Sequence, residues 1–211
     1  MKKIFLLGRP GSGKSTASRY LVKIFKNKKL EIERINDFPL LKEMFLADRE
    51  QKRFVPTEEG GFNATDFAVF DEVLQDIESN VSRKIYGDIS FFTIEFARTN
   101  YKEALQQFSK DFLSTDSYVL FLDAGMETCL YRVRERVAHP KTADDHTSFS
   151  EDKFRKHYRY DNRQYMEYGF KKEFPEVHSS FIDTGTISLK KFYERLDLVA
   201  STIFEEYIHF S

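Results

Sequence analysis

The chain has 211 residues, 41% of them hydrophobic and 32% charged, and a formal net charge of −1. This is the composition of a globule able to bury one good core; the near-neutral charge gives no basic field for nucleic acid, and no apolar run nears bilayer-spanning length. A lone cysteine, Cys129, excludes a disulfide framework and a cysteine metal site, and the expectation is one cytoplasmic, membrane-free α/β domain over 1–211 with a mobile appendage.

Residues 4–7 form a short apolar strand that breaks into Gly8-Arg9-Pro10-Gly11-Ser12-Gly13-Lys14-Ser15-Thr16. The pattern is G-x-x-x-x-G-K-S, a phosphate-binding loop. Main-chain N–H groups can crowd phosphate oxygens only where side chains do not block the turns, hence Gly8, Gly11 and Gly13. The helix starting near Gly13 aims its unpaired N–H groups and positive dipole end at the same anion. Lys14 adds a mobile charge, the Ser15 hydroxyl can ligate magnesium, and Pro10, Ser12 and Thr16 complete the nucleotide-binding stretch.

Helical spacing of Ala17, Tyr20, Leu21, Ile24 and Phe25 predicts a helix over 14–27. A strand over 31–35 follows, Asn36-Asp37-Phe38-Pro39 turns the chain, and an apolar helix covers 40–46. The polar stretch 48–61 reads as a flexible segment, and Phe67, Phe70, Leu74, Ile77 and Val81 mark a long helix opened by Asn63. Residues 89–94 are the next strand, and Asn100 with Glu103 has the spelling of a capping box for a helix reaching about Leu113. A continuously apolar strand over 118–123 and a helix over 128–137 come next. Residues 138–150 have loop composition, and a helix then runs to about Tyr168. A last strand over 180–183 turns at Gly185 into a C-terminal helix built on Leu189, Phe192, Leu196, Val199 and Ile203. Strands alternating with helices predict a three-layer α/β/α domain around a parallel sheet of about five strands.

In such a sheet ligands gather beyond the carboxyl ends of the strands, which selects the glycine loop, Asp37, Glu95, Arg98, Asp123 and Gly185. Phosphoryl transfer requires cations around the moving group, a magnesium ion, and a carboxylate to accept a proton or hold the metal's waters. Asp37 and Glu95 are both candidates for the carboxylate, and the residues do not rank them. Asp37 also fits as a helix N-cap, Glu95 as a loop carboxylate paired with Arg98, and Asp123 as either a magnesium site or a structural group. Residues 132–163 carry nine Lys and Arg against six Asp and Glu, whereas 30–80 carry five against thirteen. Arg132 and Arg136 share a helix face before the 138–150 loop, and Arg155, Arg159 and Arg163 repeat the spacing after it, as a lid closing on an anion would require. His139, His146 and His157, with Asp144 and Asp145, match no metal spacing, and Phe62 reads as core packing rather than a stacking platform.

The loop, Leu122-Asp123-Ala124-Gly125, and Cys129-Leu130-Tyr131-Arg132-Val133-Arg134-Glu135-Arg136 together resemble the P-loop nucleoside and nucleoside monophosphate kinases of the adenylate kinase and deoxynucleoside kinase type. The resemblance implies ATP and Mg2+, a lid over about 137–155, and an acceptor-binding insertion over 37–85. It also implies a structural Asp123, Arg132 near the adenine, and Arg136 near the phosphates. Ile182-Asp183-Thr184-Gly185 is similar to the family's last strand, whose following loop flanks the adenine. Glu95-Phe96-Ala97-Arg98 matches loosely: deoxynucleoside kinases carry Glu-Arg-Ser here and monophosphate kinases an Asp-to-Arg pair. Lys14, Asp37, Glu95, Arg98 and Arg136 are thus the expected catalytic set, acting on a small-molecule acceptor, with a homodimer left open. The competing reading is an NTP-binding or hydrolysing regulatory protein with no acceptor. A GTPase would need Asn-Lys-x-Asp after a late strand, and Asn27-Lys28-Lys29-Leu30 lies at a helix end and lacks the Asp.

Overall fold

The computed structural model describes residues 2–57, 61–84, 89–140 and 149–209. Its central sheet contains β1 (Lys2–Leu7), β2 (Ile32–Asn36), β5 (Phe91–Glu95), β6 (Ser117–Asp123) and β7 (His178–Asp183), ordered β2-β5-β1-β6-β7. A hairpin of β3 (Phe54–Pro56) and β4 (Phe62–Ala64) stands apart. All pairings within the central sheet are parallel.

Period-two alternation assigns each strand residue to a layer. Ile4, Leu6, Phe91, Leu120 and Leu122 pack against α1 (Lys14–Asn27) and α8 (Leu189–His209) through Leu21, Phe25, Leu196 and Ile203. Phe5, Leu7, Phe92, Ile94, Val119 and Phe121 face the other way. They meet α2 (Asp37–Ala47), α3 (Ala68–Arg83), α4 (Tyr101–Leu105) and α7 (Phe170–Glu173). A smaller core of Cys129, Leu130, Val133 and Phe154 joins α5 (Met126–Ala138) to α6 (Glu151–His157). The expected three-layer α/β/α architecture and five-stranded parallel sheet are present.

Four local expectations are corrected. Asp37 is not an N-cap: Asn36 is, its side chain accepting from the Phe38 N–H, so α2 starts directly at Asp37 with no intervening turn. Asn63 lies in β4, and it is Asp66 that accepts the Ala68 N–H at the start of α3. The stretch 48–61, read as flexible, contains β3, and three donors bind the Asp48 carboxylate: the backbone N–H groups of Lys52, Arg53 and Phe54, at 2.7–3.0 Å. Gly60 and its two predecessors lie outside the described residues, as do 141–148, with His146, Asp144 and Asp145.

The fourth correction concerns two helices that end early. Asn100 caps α4 as its spelling predicts, accepting from Lys102 and Glu103, yet α4 stops at Leu105. Turns then carry Phe108 and Phe112 against Phe5, with ring centroids 5.3 and 6.0 Å away. The helix expected to reach Tyr168 breaks after His157, and a π-helical turn (Tyr165–Gly169) leads into α7. Among the described residues no helix is long and apolar enough to cross a membrane.

Phe25 is fully buried and stacks on Phe91 at 4.5 Å. Phe25→Ala is therefore expected to lower unfolding stability by about 3–5 kcal/mol, read by urea denaturation with an unchanged m-value.

Candidate active site

The phosphate loop is built as its glycines require. Gly8, Gly11 and Gly13 have φ of 141°, 86° and 106°. A Cβ on Gly8 would lie 2.2 Å from the Leu122 carbonyl oxygen, and one on Gly11 2.6 Å from that of Cys129. Alanine is thus blocked at both positions by main chain as well as by conformation. Gly8 is also held by Tyr101, a contact the sequence did not signal. The Tyr101 hydroxyl accepts from Gly8 N at 2.7 Å, and the Gly8 and Phe96 carbonyls, at 2.9 and 3.1 Å, are its alternative acceptors. Tyr101 is buried, which pushes its phenol up from the usual value.

Lys14 folds back on the loop and donates to the carbonyls of Gly8 (2.6 Å) and Arg9 (3.0 Å). Burial lowers its pKa to about 8, against the opposing pull of the Glu95 and Asp37 carboxylates. Ser15 Oγ donates to Glu95 Oε2 at 2.9 Å, and the other Glu95 oxygen is held by Arg34 from β2. Glu95 is only 2% exposed, so the end of β5 places a fully enclosed carboxylate beside the loop hydroxyl. Arg34 sits two residues inside a strand reading Ile-Glu-Arg-Ile, and nothing in that alternation marked it as functional.

Asp37 lies across the cleft from the loop, paired with Arg98. Arg98 further donates to the carbonyls of Ala97 (2.8 Å) and Phe70 (2.9 Å), and its guanidinium lies 5.2 and 5.4 Å from the ring centres of Phe70 and Phe96. Both members of the pair are mostly buried, so Arg98 pairs with Asp37 and not, as the loop reading had it, with Glu95. His157 stands beside them, 5.9 Å from the Phe70 ring, and burial together with the Arg98 charge pushes its imidazole below the usual range.

These groups line one cleft of about 1750 Å³. Its lining includes Pro10 to Thr16, Arg132, Arg136, Arg159 and Thr184, together with Asp37, Arg98, Phe38, Phe62, Phe67 and Phe70. Phe62 stacks on Phe45 at 4.9 Å and on Phe38 at 5.8 Å, so it packs within the aromatic cluster while its edge borders the cavity. Arg132 bridges the loop and the last strand, donating to Gly11 O (3.2 Å) and Thr184 O (2.7 Å). Gly8 and Gly185 do not themselves line the cleft: Gly8 supports the loop from behind, and Thr184 and Ile187 line it on either side of Gly185.

Of the second arginine set, only Arg159 reaches the cleft. Arg155 pairs with Glu127 and Glu151, and Arg163 with Asp123 at 3.4 Å. The helix break at His157 is the reason, because a common face needs an unbroken helix. Asp123 lies behind the loop between Arg9 and Arg163, outside the cleft, as a structural group would. No cluster of three His, Cys, Asp or Glu among the described residues could hold a metal by itself.

No family model matches the sequence, and no curated protein matches it significantly. Similar folds occur among solved structures. Shikimate kinase from Acinetobacter baumannii, in complex with shikimate, superposes with a TM-score of 0.52 at 16% identity, over 96% of this chain and 94% of that one. A sugar kinase from Janibacter gives 0.51 at 13% identity, over 97% and 95%, and a gluconokinase from Sinorhizobium meliloti gives 0.51 at 12%, over 97% of both. The chain has the three-layer fold of the P-loop kinases, and at such identities the likeness establishes the fold alone.

Removing one member of the buried Asp37–Arg98 pair strands the other. Arg98→Met is expected to cost about 3–5 kcal/mol in urea unfolding, and Asp37→Asn combined with Arg98→Met to recover a substantial part.

Proposed function

We propose that this protein is an ATP-dependent kinase that transfers the γ-phosphoryl group to a small acceptor hydroxyl, with nucleosides and nucleotides first in line. The observation that carries this reading is a single cleft lined both by the phosphate loop, with Lys14 and Ser15, and by a buried carboxylate–guanidinium pair close enough for Asp37 to act on Lys14 through its charge. In-line transfer needs a phosphate cradle and a proton acceptor held a fixed distance apart, with water kept out.

The donor end fits a triphosphate with its metal. The Ser12 hydroxyl is buried with no hydrogen-bond partner among the described residues, and the glycine turns leave room where a Cβ would clash. Ser15 Oγ and Glu95 are the groups that would hold magnesium directly or through its waters. Magnesium, when bound, offsets charge on the phosphate oxygens.

The two carboxylates take different parts. Glu95, tied to Ser15 and Arg34, serves the metal side. Asp37, oriented by Arg98 at the acceptor end, accepts the proton of the attacking hydroxyl. Lys14 exchanges its two carbonyl partners for phosphate oxygens, Arg136 and Arg159 stabilise the phosphoryl in transit, and Arg132 lies toward the donor's base. Residues from α2, the β3–β4 hairpin and the start of α3 contribute the acceptor wall, and residues 141–148 of the expected lid over 137–155 lie outside the described residues. Lys52 is paired with Glu50, and Arg53 with Glu72 and Asp66, and neither lines the cleft, whereas Lys42, Lys153 and Lys156 do.

Two measurements test this reading. MgATP incubated with a panel of nucleosides, nucleotides, sugars and cofactor precursors should give a phosphorylated product by mass spectrometry, and Asp37→Asn should cut its rate by about 10²- to 10⁴-fold. ATP bound without any product returns the protein to the regulatory NTP-binding reading. The second measurement uses Lys14, which is half-charged in the free protein near pH 8 and fully charged beside phosphates. Binding MgATP at that pH should take up about half a proton, and close to none at pH 6.5, as read from calorimetric enthalpies in buffers of different ionisation heat. Lys14→Ala should abolish the uptake.

A further inference from the structure

We infer that Arg9 is a positioning residue that sets the main chain of Arg159 in the cleft, an inference that rests on the kinase reading above. Nothing in phosphate binding calls for an arginine at the second loop position, and Arg9 does not line the cleft. Its guanidinium instead reaches backward and makes three bonds to backbone carbonyls. Nε donates to Tyr158 O at 3.1 Å, Nη2 to Tyr160 O at 3.0 Å, and Nη1 to Ala124 O at 3.3 Å.

Tyr158 and Tyr160 are the two neighbours of Arg159 in the chain. Because α6 ends at His157, neither carbonyl continues a helix, and the planar arginine fork satisfies both at once. The same turn is tied at its far end by buried Asn162. Its Oδ1 accepts from Tyr101 N at 2.9 Å, and its Nδ2 donates to Thr99 O at 3.0 Å. Tyr101 in turn grips Gly8. The turn over 158–162 is therefore tied to the phosphate loop through Arg9 and to the segment after β5 through Asn162.

Arg159 is left with a held backbone and an exposed side chain that no hydrogen bond or ion pair engages among the described residues. That is the state in which an arginine is ready for phosphate oxygens: its Cα is already placed, and only side-chain torsions remain to be ordered. Arg136 lines the same cleft and acts on Lys14 through its charge. The loop that cradles the donor thus also fixes the arginine that meets the phosphoryl group from the opposite wall.

The test uses MgATP, with water as the phosphoryl acceptor, so that no acceptor need be known. Wild type, Arg9→Met, Arg159→Ala and the double variant are compared for MgATP affinity by calorimetry, steady-state hydrolysis and thermal midpoint. The expected result is a loss in kcat of about 100-fold for Arg159→Ala and about 10-fold for Arg9→Met, with MgATP affinity within about threefold of wild type. The double variant should hydrolyse at the Arg159→Ala rate, because Arg9 acts through Arg159. Arg9→Lys, which can reach one carbonyl but not two, should fall between wild type and Arg9→Met. A purely structural Arg9 would lower the midpoint while the kcat losses multiply in the double variant, and that result overturns the inference. So does an Arg9→Met protein that hydrolyses at the wild-type rate, or a wild type that binds MgATP and turns none over. A wild type that binds no MgATP overturns the kinase reading as well.

Discussion

The site depends on where three neighbouring parallel strands stop. Leu6, Glu95 and Asn36 are register partners across β1, β5 and β2, so Phe96 and Asp37 leave the sheet level with Leu7 and one residue short of Gly8. A slip of one residue would reverse every side chain of β5. Phe92 and Ile94 would then face α1, and Glu95 would enter the aromatic core. In the observed register the α1 side of β5 carries two polar contacts, Ser18 with Thr93 at 2.9 Å and Ser15 with Glu95 at 2.9 Å. They are spaced three residues apart on the helix and two on the strand, spacings that keep each pair on one face of its element. Packing α1 and aiming the loop hydroxyl are one event.

A second constraint follows from enclosing so much charge at one end of an apolar sheet. Lys14, Glu95, Asp37 and Arg98 all lie at this edge, and Glu95, Asp37 and Arg98 rank with the buried residues. Each is tolerable only because another faces it: Arg34 and Ser15 hold Glu95, Arg98 holds Asp37, and both carboxylates support the charge of Lys14 against burial. Such mutual dependence orders a cleft before any ligand arrives, which is what transfer chemistry gains most from. It is also why the site's members come from four separate elements, since no single helix or strand can surround a charge with its partner.

How much of this was legible in the sequence follows from the same physics. The parallel sheet, its carboxyl edge and the glycine loop were readable because each rests on a local spelling or on an alternation of elements. The partner of Asp37 was not, because an ion pair spanning 61 positions leaves no local trace. Tyr101 sat in an ordinary capped helix start, and Arg34 in an ordinary strand alternation. The early end of α6 was hidden for a similar reason. Residues 151–168 contain no glycine or proline before Gly169, and the carbonyl of Tyr158, just past the helix end, is met by a guanidinium from Arg9, 149 positions away. The β3–β4 hairpin was missed because polar composition was taken for flexibility, whereas the Asp48 carboxylate and Arg53 provide its bonds.

The asymmetry between the two ends of the cleft has a chemical origin. A triphosphate is held mostly by main-chain N–H groups, and main chain can crowd an anion only if certain side chains are missing, so the requirement is written as glycines at fixed intervals. An acceptor is recognised by side chains, and several arrangements of rings and polar groups serve equally well. In this cleft the lining side chains include Phe38 from α2, Phe62 from a hairpin, Phe70 from α3 and Arg98 from the segment after β5. Solved structures that share this fold at 12–16% identity include kinases named for shikimate, gluconate and sugars, which is the spread expected when one edge of a sheet is constrained by backbone and the other only by shape. Phe38, Phe62 and Phe70 give this cleft an aromatic wall, Arg98 is already paired with Asp37, and Lys42, Lys153 and Lys156 add cationic lining. An anion seated on Arg98 would have to displace its Asp37 partner, whereas an uncharged hydroxyl compound could leave that ion pair intact.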